Sequence, residues 1–379
     1  MKTAFFNCRI FDGEKLHHDM AFVVDGDYFV EVSAQQNISA EYDTAHDMQQ
    51  HILAPGLIDI QVNGGGGVMF NDDPSVEVIR KIGAAHRRYG TTGFLPTLIS
   101  TDFDVMQQAV AAVSQAIADA VPGVLGIHLE GPYLSSEKQG IHDGENFLEL
   151  DDAAFELLSS LNNGRMLVTI APELTSSSFI KKLVDAGVLV FAGHSAASYD
   201  ETIVALDAGL RGFTHLFNAM NQLGSREPGM VGAALQSQNS WCGIIADGQH
   251  VHPASLSVAV AAKKKGFSVL VTDAMATVGS DQAGFTFGGV DISVFDGSCR
   301  TPEGHLAGSH LDMISAVRNA ASFAGIDYFE SLRMASCYPA HALGLEDQLG
   351  YIRKGYRASF IELDDDMNLF RSWIDGKAS

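Results

Sequence analysis

Eight short apolar runs, each followed by a stretch of helical periodicity, recur between residues 54 and 346 of the 379-residue chain. The runs span 57–62, 92–97, 124–129, 167–170, 188–192, 212–215, 243–246 and 268–272, and helical patterns fall at 76–89, 103–120, 176–186, 200–208, 253–265 and 311–324. Eight strands alternating with helices over roughly 290 residues predict an α/β fold, a (β/α)8 TIM-type barrel. An open doubly wound sheet is the rival, but it would not normally need eight strands with polar residues at so many of their ends.

The two chain ends carry a different pattern. Strand-like stretches at 4–10, 21–24 and 28–32 are separated by the turn signals Asp12-Gly13 and Asp25-Gly26, and 355–363 and 369–374 match them at the other end. Neither end holds enough apolar material for a core of its own. Residues 1–53 together with 347–379 are therefore expected to form one small β-sandwich domain beside a catalytic barrel at 54–346.

Charge and cysteine usage exclude several classes. A formal net charge of −22, from 24 basic and 46 acidic residues, repels nucleic acid and anionic membranes, so neither is expected as a partner. Cys8, Cys242, Cys299 and Cys337 are scattered without a C-x-x-C pair, which argues against disulfides and against a thiolate zinc site. No apolar run reaches the length of a membrane span, and Arg9 and Asp12 come too early for a secretory leader. A cytoplasmic location is expected.

The informative residues close the predicted strands. The third run ends in His128-Leu129-Glu130, the fifth in Gly193-His194-Ser195, the sixth in Thr214-His215 and the eighth in Thr272-Asp273. In a barrel these ends share one mouth. Glu130, His194 and His215 meeting there supply O, N and N ligands, a set used by catalytic zinc with the remaining position left to water. Asp273 would be the unligated carboxylate that moves protons. Each residue alone has a plainer reading: a hydrogen-bonded core histidine, a paired glutamate, a helix N-cap for Asp273. Four of them at four strand ends favour function.

The segment 55–64, PGLIDIQVNG, has the shape of the stretch that opens many amidohydrolase barrels, where two histidines one residue apart bind a metal. Here those positions are Gln61 and Asn63, a possible vestigial second metal position. Neutral amides are poor ligands for a tightly held transition metal, so one divalent ion per subunit is expected rather than two. A His₂Glu set takes Zn²⁺, with Fe²⁺, Co²⁺ or Ni²⁺ also suited.

The motifs PGLIDIQVNGGGG (55–67), HLEGPYL (128–134), KQGIH (138–142), AGHS (192–195), THLFNAM (214–220), DGQHVHP (247–253), VTDAM (271–275) and LAGS (306–309) run nearly end to end. In this combination the chain resembles the N-acetylglucosamine-6-phosphate deacetylases of the amidohydrolase superfamily. The resemblance implies Glu130, His194 and His215 as metal ligands, Asp273 as general base and acid, and His142 beside the scissile amide. It also implies substrate contacts at Ile141, Asn218, Ala219, Arg226, His250, Leu306, Ala307 and Gly308. The implied reaction converts N-acetyl-D-glucosamine 6-phosphate to D-glucosamine 6-phosphate and acetate in amino-sugar catabolism, with a small-molecule sugar phosphate as partner and a homodimer as the assembly.

Other readings stand beside this one. Arg226 could pair with Glu227 on an exposed loop, and the run Gly64–Gly67 lacks the Gly-Lys-Ser/Thr that a nucleotide loop needs. Met275, His305 and His310 read as packing or surface residues, and His17, His18, His46, His51 and His86 as surface. Another mononuclear amidohydrolase acting on a different N-acyl sugar or a cyclic amide is the alternative function. A barrel without catalysis, serving as a binding protein, is a more distant one.

Overall fold

The computed structural model describes residues 1–378. Its centre is an eight-stranded parallel sheet in which every strand pairs with its successor: Leu57–Val62, Thr91–Ile99, Gly126–Glu130, Arg165–Ile170, Leu189–Ala192, Gly212–Phe213, Trp241–Ile245 and Ser268–Val271, called barrel strands one to eight. A parallel bridge between Val62 and Ala274, and a bond from the Asp273 amide to the Gln61 carbonyl (3.0 Å), bring strand eight back to strand one. Strand one is buried at every residue, as is strand two, which is why they read as continuous apolar runs rather than alternating ones.

Helices start and stop where local chemistry directs. Ser75 caps Val76–Arg87, a reciprocal Ser198–Glu201 capping box opens Tyr199–Asp207, and Gly325 ends Met313–Ala324 in the left-handed region at φ 65°. Val76–Arg87 turns Ile79, Ile82 and His86 inward together. His86 is thus fully buried, donating from Nε2 to the Gly64 carbonyl at 2.8 Å, and the surface reading of this residue is corrected. Because a carbonyl only accepts, Nε2 carries the hydrogen.

The chain ends join in one hydrogen-bonded sheet. Lys2–Phe11 pairs antiparallel with Leu16–Asp25 and parallel with Ile52–Pro55, and Ile52–Pro55 pairs in turn with Phe360–Leu363 from the far end of the sequence. The sheet curls until Tyr28 bridges Arg357, enclosing Phe5, Phe22, Phe29, Phe360 and Trp373. The Phe360 and Trp373 rings stack at 4.5 Å, so this aromatic cluster draws on both ends of the chain.

One element is new. After barrel strand eight a four-stranded antiparallel sheet, Gly284–Phe287, Val290–Phe295, Ser298–Arg300 and Leu306–Ser309, rises beside the barrel mouth. Its Ile292, Cys299 and Ala307 pack with Met69, Ile99 and Met275, fixing one wall of the cavity. Among the described residues no helix is long and apolar enough to cross a membrane.

Candidate active site

The ends of strands three, five, six and eight deliver Glu130, His194, His215 and Asp273 to one buried cavity. The backbone turns sharply there: His194, His215 and Asp273 have φ of 46°, 30° and 52°, in the left-handed region that residues other than glycine seldom adopt. Such strain persists only where surrounding structure holds it, and it concentrates at functional sites.

Glu130, His194 and His215 form the one cluster of metal-ligating groups among the described residues, with one ligand atom from each lying within 4.8 Å of the others. Glu130 Oε1 is 2.8 Å from His215 Nε2 and 3.4 Å from His194 Nε2, and the two Nε2 atoms are 2.9 Å apart. His194 Nδ1 lies 2.8 Å from the Lys138 carbonyl, which can only accept, so Nδ1 carries the hydrogen and Nε2 offers a lone pair. Among the described residues the buried His215 Nδ1 atom has no hydrogen-bond partner. A carboxylate oxygen and imidazole nitrogens converging on one point fit a divalent cation. Burial alone would raise Glu130, but hydrogen bonds and charge from His194 and His215 outweigh it and hold the carboxyl well below the usual range.

Gln61 and Asn63 contribute in another way. Gln61 Nε2 donates to Glu130 Oε1 (3.0 Å) and to Asp273 Oδ1 (3.1 Å), and Asn63 Nδ2 donates to Asp273 Oδ1 (2.7 Å). Carboxylates accept only, so both amides must turn their nitrogens inward, which leaves no amide oxygen facing the cluster for a cation. Burial and the neighbouring Glu130 push Asp273 up to about 6, against the pull of His215, His250 and Asn63.

His142, Ile141, Asn218, Ala219, His250, Leu306 and Gly308 line the same cavity, together with Ile99, Gly140 and Met275. Ala307 does not; it is buried in the apolar wall behind. Arg226 is exposed on the loop at 221–228 and outside the lining, and Glu227 is engaged by the amides of Tyr199 (2.8 Å) and Gly229 (3.0 Å) rather than by Arg226. Within one chain the structure does not bring Arg226 to the site.

Three contributors escaped the sequence reading. Asp247 holds His250, with Oδ2 2.6 Å from Nδ1 and Oδ1 accepting the His250 amide at 2.8 Å, so the ring's Nε2 is left unclaimed. Burial opposes ionisation of Asp247, yet these bonds lower it. The spacing of three residues in Asp247–His250 was the available signal. Asp59 is fully buried behind the site and accepts from Thr272 Oγ1 (2.5 Å), anchoring the residue before Asp273. Ser100, just past strand two, meets His142 Nδ1.

A family model described as the amidohydrolase family matches residues 52–378. The chain belongs to the amidohydrolase family. This amidohydrolase is 44% identical over 353 residues to an N-acetylgalactosamine-6-phosphate deacetylase from Shewanella sp. (strain ANA-3), covering 90% of this chain and 88% of the relative. It is 34% identical over 381 residues to an N-acetylglucosamine-6-phosphate deacetylase from Haemophilus influenzae, covering 100% and 99%. A crystal structure of N-acetylglucosamine-6-phosphate deacetylase from Pasteurella multocida superposes with a TM-score of 0.95 at 34% identity, covering all of both chains.

Proposed function

We propose that this amidohydrolase removes the acetyl group from N-acetyl-D-glucosamine 6-phosphate, giving D-glucosamine 6-phosphate and acetate. The convergence of Glu130, His194 and His215 beside the Asp273 carboxylate in one buried cavity carries the reading. Full-length relatives named for this reaction support it. A second reading, the galactosamine epimer as substrate, is favoured by the name of the 44% identical relative.

One divalent ion, Zn²⁺ by preference, would be held by Glu130, His194 and His215 and supplies a Lewis acid that activates water at neutral pH. Asp273, its Oδ1 held by Asn63 and Gln61, takes the proton of the attacking water. As the C–O bond forms, the carbonyl oxygen gains charge, and His142, which lines the cavity, is our candidate donor to it. Asp273 then returns the proton to the amide nitrogen, the C–N bond breaks, and the free amine leaves. Burial, followed by the charge of His194, holds His142 well below its ordinary value, so it acts as a neutral donor.

His250, oriented by Asp247, is our assignment for the phosphate, with Ile141, Asn218, Ala219 and the Leu306-Ala307-Gly308 segment around the sugar. Arg226 joins the phosphate only through movement of its loop or from a second copy of the chain. We place the enzyme in the cytoplasm as a homodimer, each subunit built from a barrel unit (54–346) and a unit made of both ends (1–53 with 347–379).

The experiment measures amine release by the zinc-loaded protein from both epimers as 6-phosphates and from unphosphorylated N-acetylglucosamine. The 6-phosphates should turn over with far higher kcat/KM, and Asp273→Asn should abolish kcat with zinc still bound. No release from either 6-phosphate overturns the reading. Faster turnover of the galactosamine epimer selects the second reading.

A further inference from the structure

His142 can act as a donor only if its hydrogen is on the correct nitrogen, and the residue facing its other nitrogen is Ser100. The Ser100 backbone amide points at His142 Nδ1 at 3.3 Å, and Ser100 Oγ lies 2.7 Å from the same atom. A backbone N–H only donates, so Nδ1 must be the acceptor and the ring hydrogen belongs on Nε2, at the opposite edge of the imidazole. We propose that Ser100 is a positioning residue that fixes His142 in the Nε2–H tautomer and so aims a donor at the acetamido carbonyl. This rests on the deacetylase reading above.

The competing arrangement is a chain in which Nδ1–H donates to Ser100 Oγ and the hydroxyl donates on to the Glu130 carbonyl. That carbonyl is 3.4 Å from Oγ, at the edge of hydrogen-bond range, and the Ser100 amide would then face another N–H. The geometry favours the first arrangement on both counts. The site also makes room for the hydroxyl: a Cβ on Gly131, next to Glu130, would overlap Ser100 Oγ, and Gly131 sits at φ 87°, where a side chain is strained. Ser100 and His142 are both buried, so water does not compete freely for Nδ1. Ser100 itself touches no reacting atom in this arrangement; it acts through the imidazole.

The test is nitrogen NMR of the zinc-loaded protein labelled with ¹⁵N-histidine, with the His142 signals assigned by their loss in His142→Gln. The expected wild-type spectrum shows a protonated Nε2 and an unprotonated Nδ1 for His142. Ser100→Ala keeps the 3.3 Å amide donor but removes the 2.7 Å hydroxyl donor, so the Nδ1 signal should shift and kcat should fall by roughly 10-fold, with KM within about 2-fold and zinc content unchanged. Ser100→Thr, which keeps the hydroxyl, should restore both. A wild-type His142 protonated on Nδ1 overturns the proposal whatever the variants do. Ser100→Ala with unaltered His142 signals and unaltered kcat overturns it as well. A wild-type protein inactive on both sugar phosphates, yet showing the Nε2–H signal, instead removes the deacetylase reading.

Discussion

Replacing Asn63 with leucine should move the acid limb of the kcat/KM profile to higher pH. Asn63 Nδ2 is 2.7 Å from Asp273 Oδ1, and both residues are buried. A donor to a carboxylate stabilises the charged form, so losing it raises the carboxyl pKa. A hydrogen bond to a charged group is worth about 1.5–3 kcal/mol net, and 1.36 kcal/mol corresponds to one unit, so the shift is about 1–2 pH units. Asp273 begins at about 6. Since the base must be ionised, activity at pH 7 should fall about 2- to 10-fold and recover as the pH approaches 9. A bound cation lowers the limb in both proteins, which leaves the displacement between them as the measured quantity. Leucine keeps the branched shape and excludes water, and it removes Asn63 Oδ1, a buried acceptor with no partner among the described residues, so the loss of fold stability should be small. The assay is amine release across pH 5–9. A limb that stays in place, or moves to lower pH, refutes the reasoning. A loss that does not recover at high pH would mean that Asn63 shapes the cavity rather than tuning Asp273.

Asp59 offers a stability test. Burial pushes it up to about 7, outweighing bonds from Thr272 and Gln61, so the native state keeps a proton that the unfolded chain releases near 3.8. Stability from this group is fully present below the unfolded value and falls by roughly 1.4 kcal/mol per pH unit as pH rises from about 4 to about 7. Asp59→Asn should flatten that slope in calorimetric melting, and an unchanged slope would refute the assignment. Gly126→Ala should be among the most damaging single-methyl changes, because its Cβ would overlap the Arg165 backbone on the neighbouring barrel strand. Backbone atoms in a closed sheet have nowhere to retreat, and a loss above about 3 kcal/mol or failure to fold is expected. A melting temperature near that of the wild type would show that the strands can part.

How much of this was legible in the sequence depended on whether a feature was local. The barrel strands stood out because residues buried on both faces leave uninterrupted apolar runs: 57–62 was read at the observed bounds, Leu57–Val62. The sheet after strand eight went unread although its turns were marked. Gly288-Gly289 and Asp296-Gly297 both have positive φ at the two central positions, as tight hairpins require. Their strands are half-exposed and short, so the apolar pattern was weak there. His86 was missed for a different reason: its spacing from Ile79 and Ile82 places it on the buried face, but histidine itself carries no apolar signal.

The site divides along the same line. The clustering of Glu130, His194 and His215 at strand ends was legible because barrel topology alone sends them to one mouth. Ser100, Asp59 and Asp247 were not, since each acts by touching another side chain at an angle that only the folded backbone sets. Asp247 lies three residues before the histidine it holds, whereas Ser100 and His142 are separated by 42 positions and meet only when the end of barrel strand two and the segment carrying His142 come together in the fold. Gln61 is the instructive middle case. Its chemistry, a neutral amide, marked it in the sequence as a poor metal ligand, but only the geometry reveals that the same amide bridges Glu130 and Asp273. At that position the amide nitrogen, by hydrogen bonding to both carboxylates, supplies part of the electrostatic restraint on Asp273, a coupling that residue type alone does not reveal.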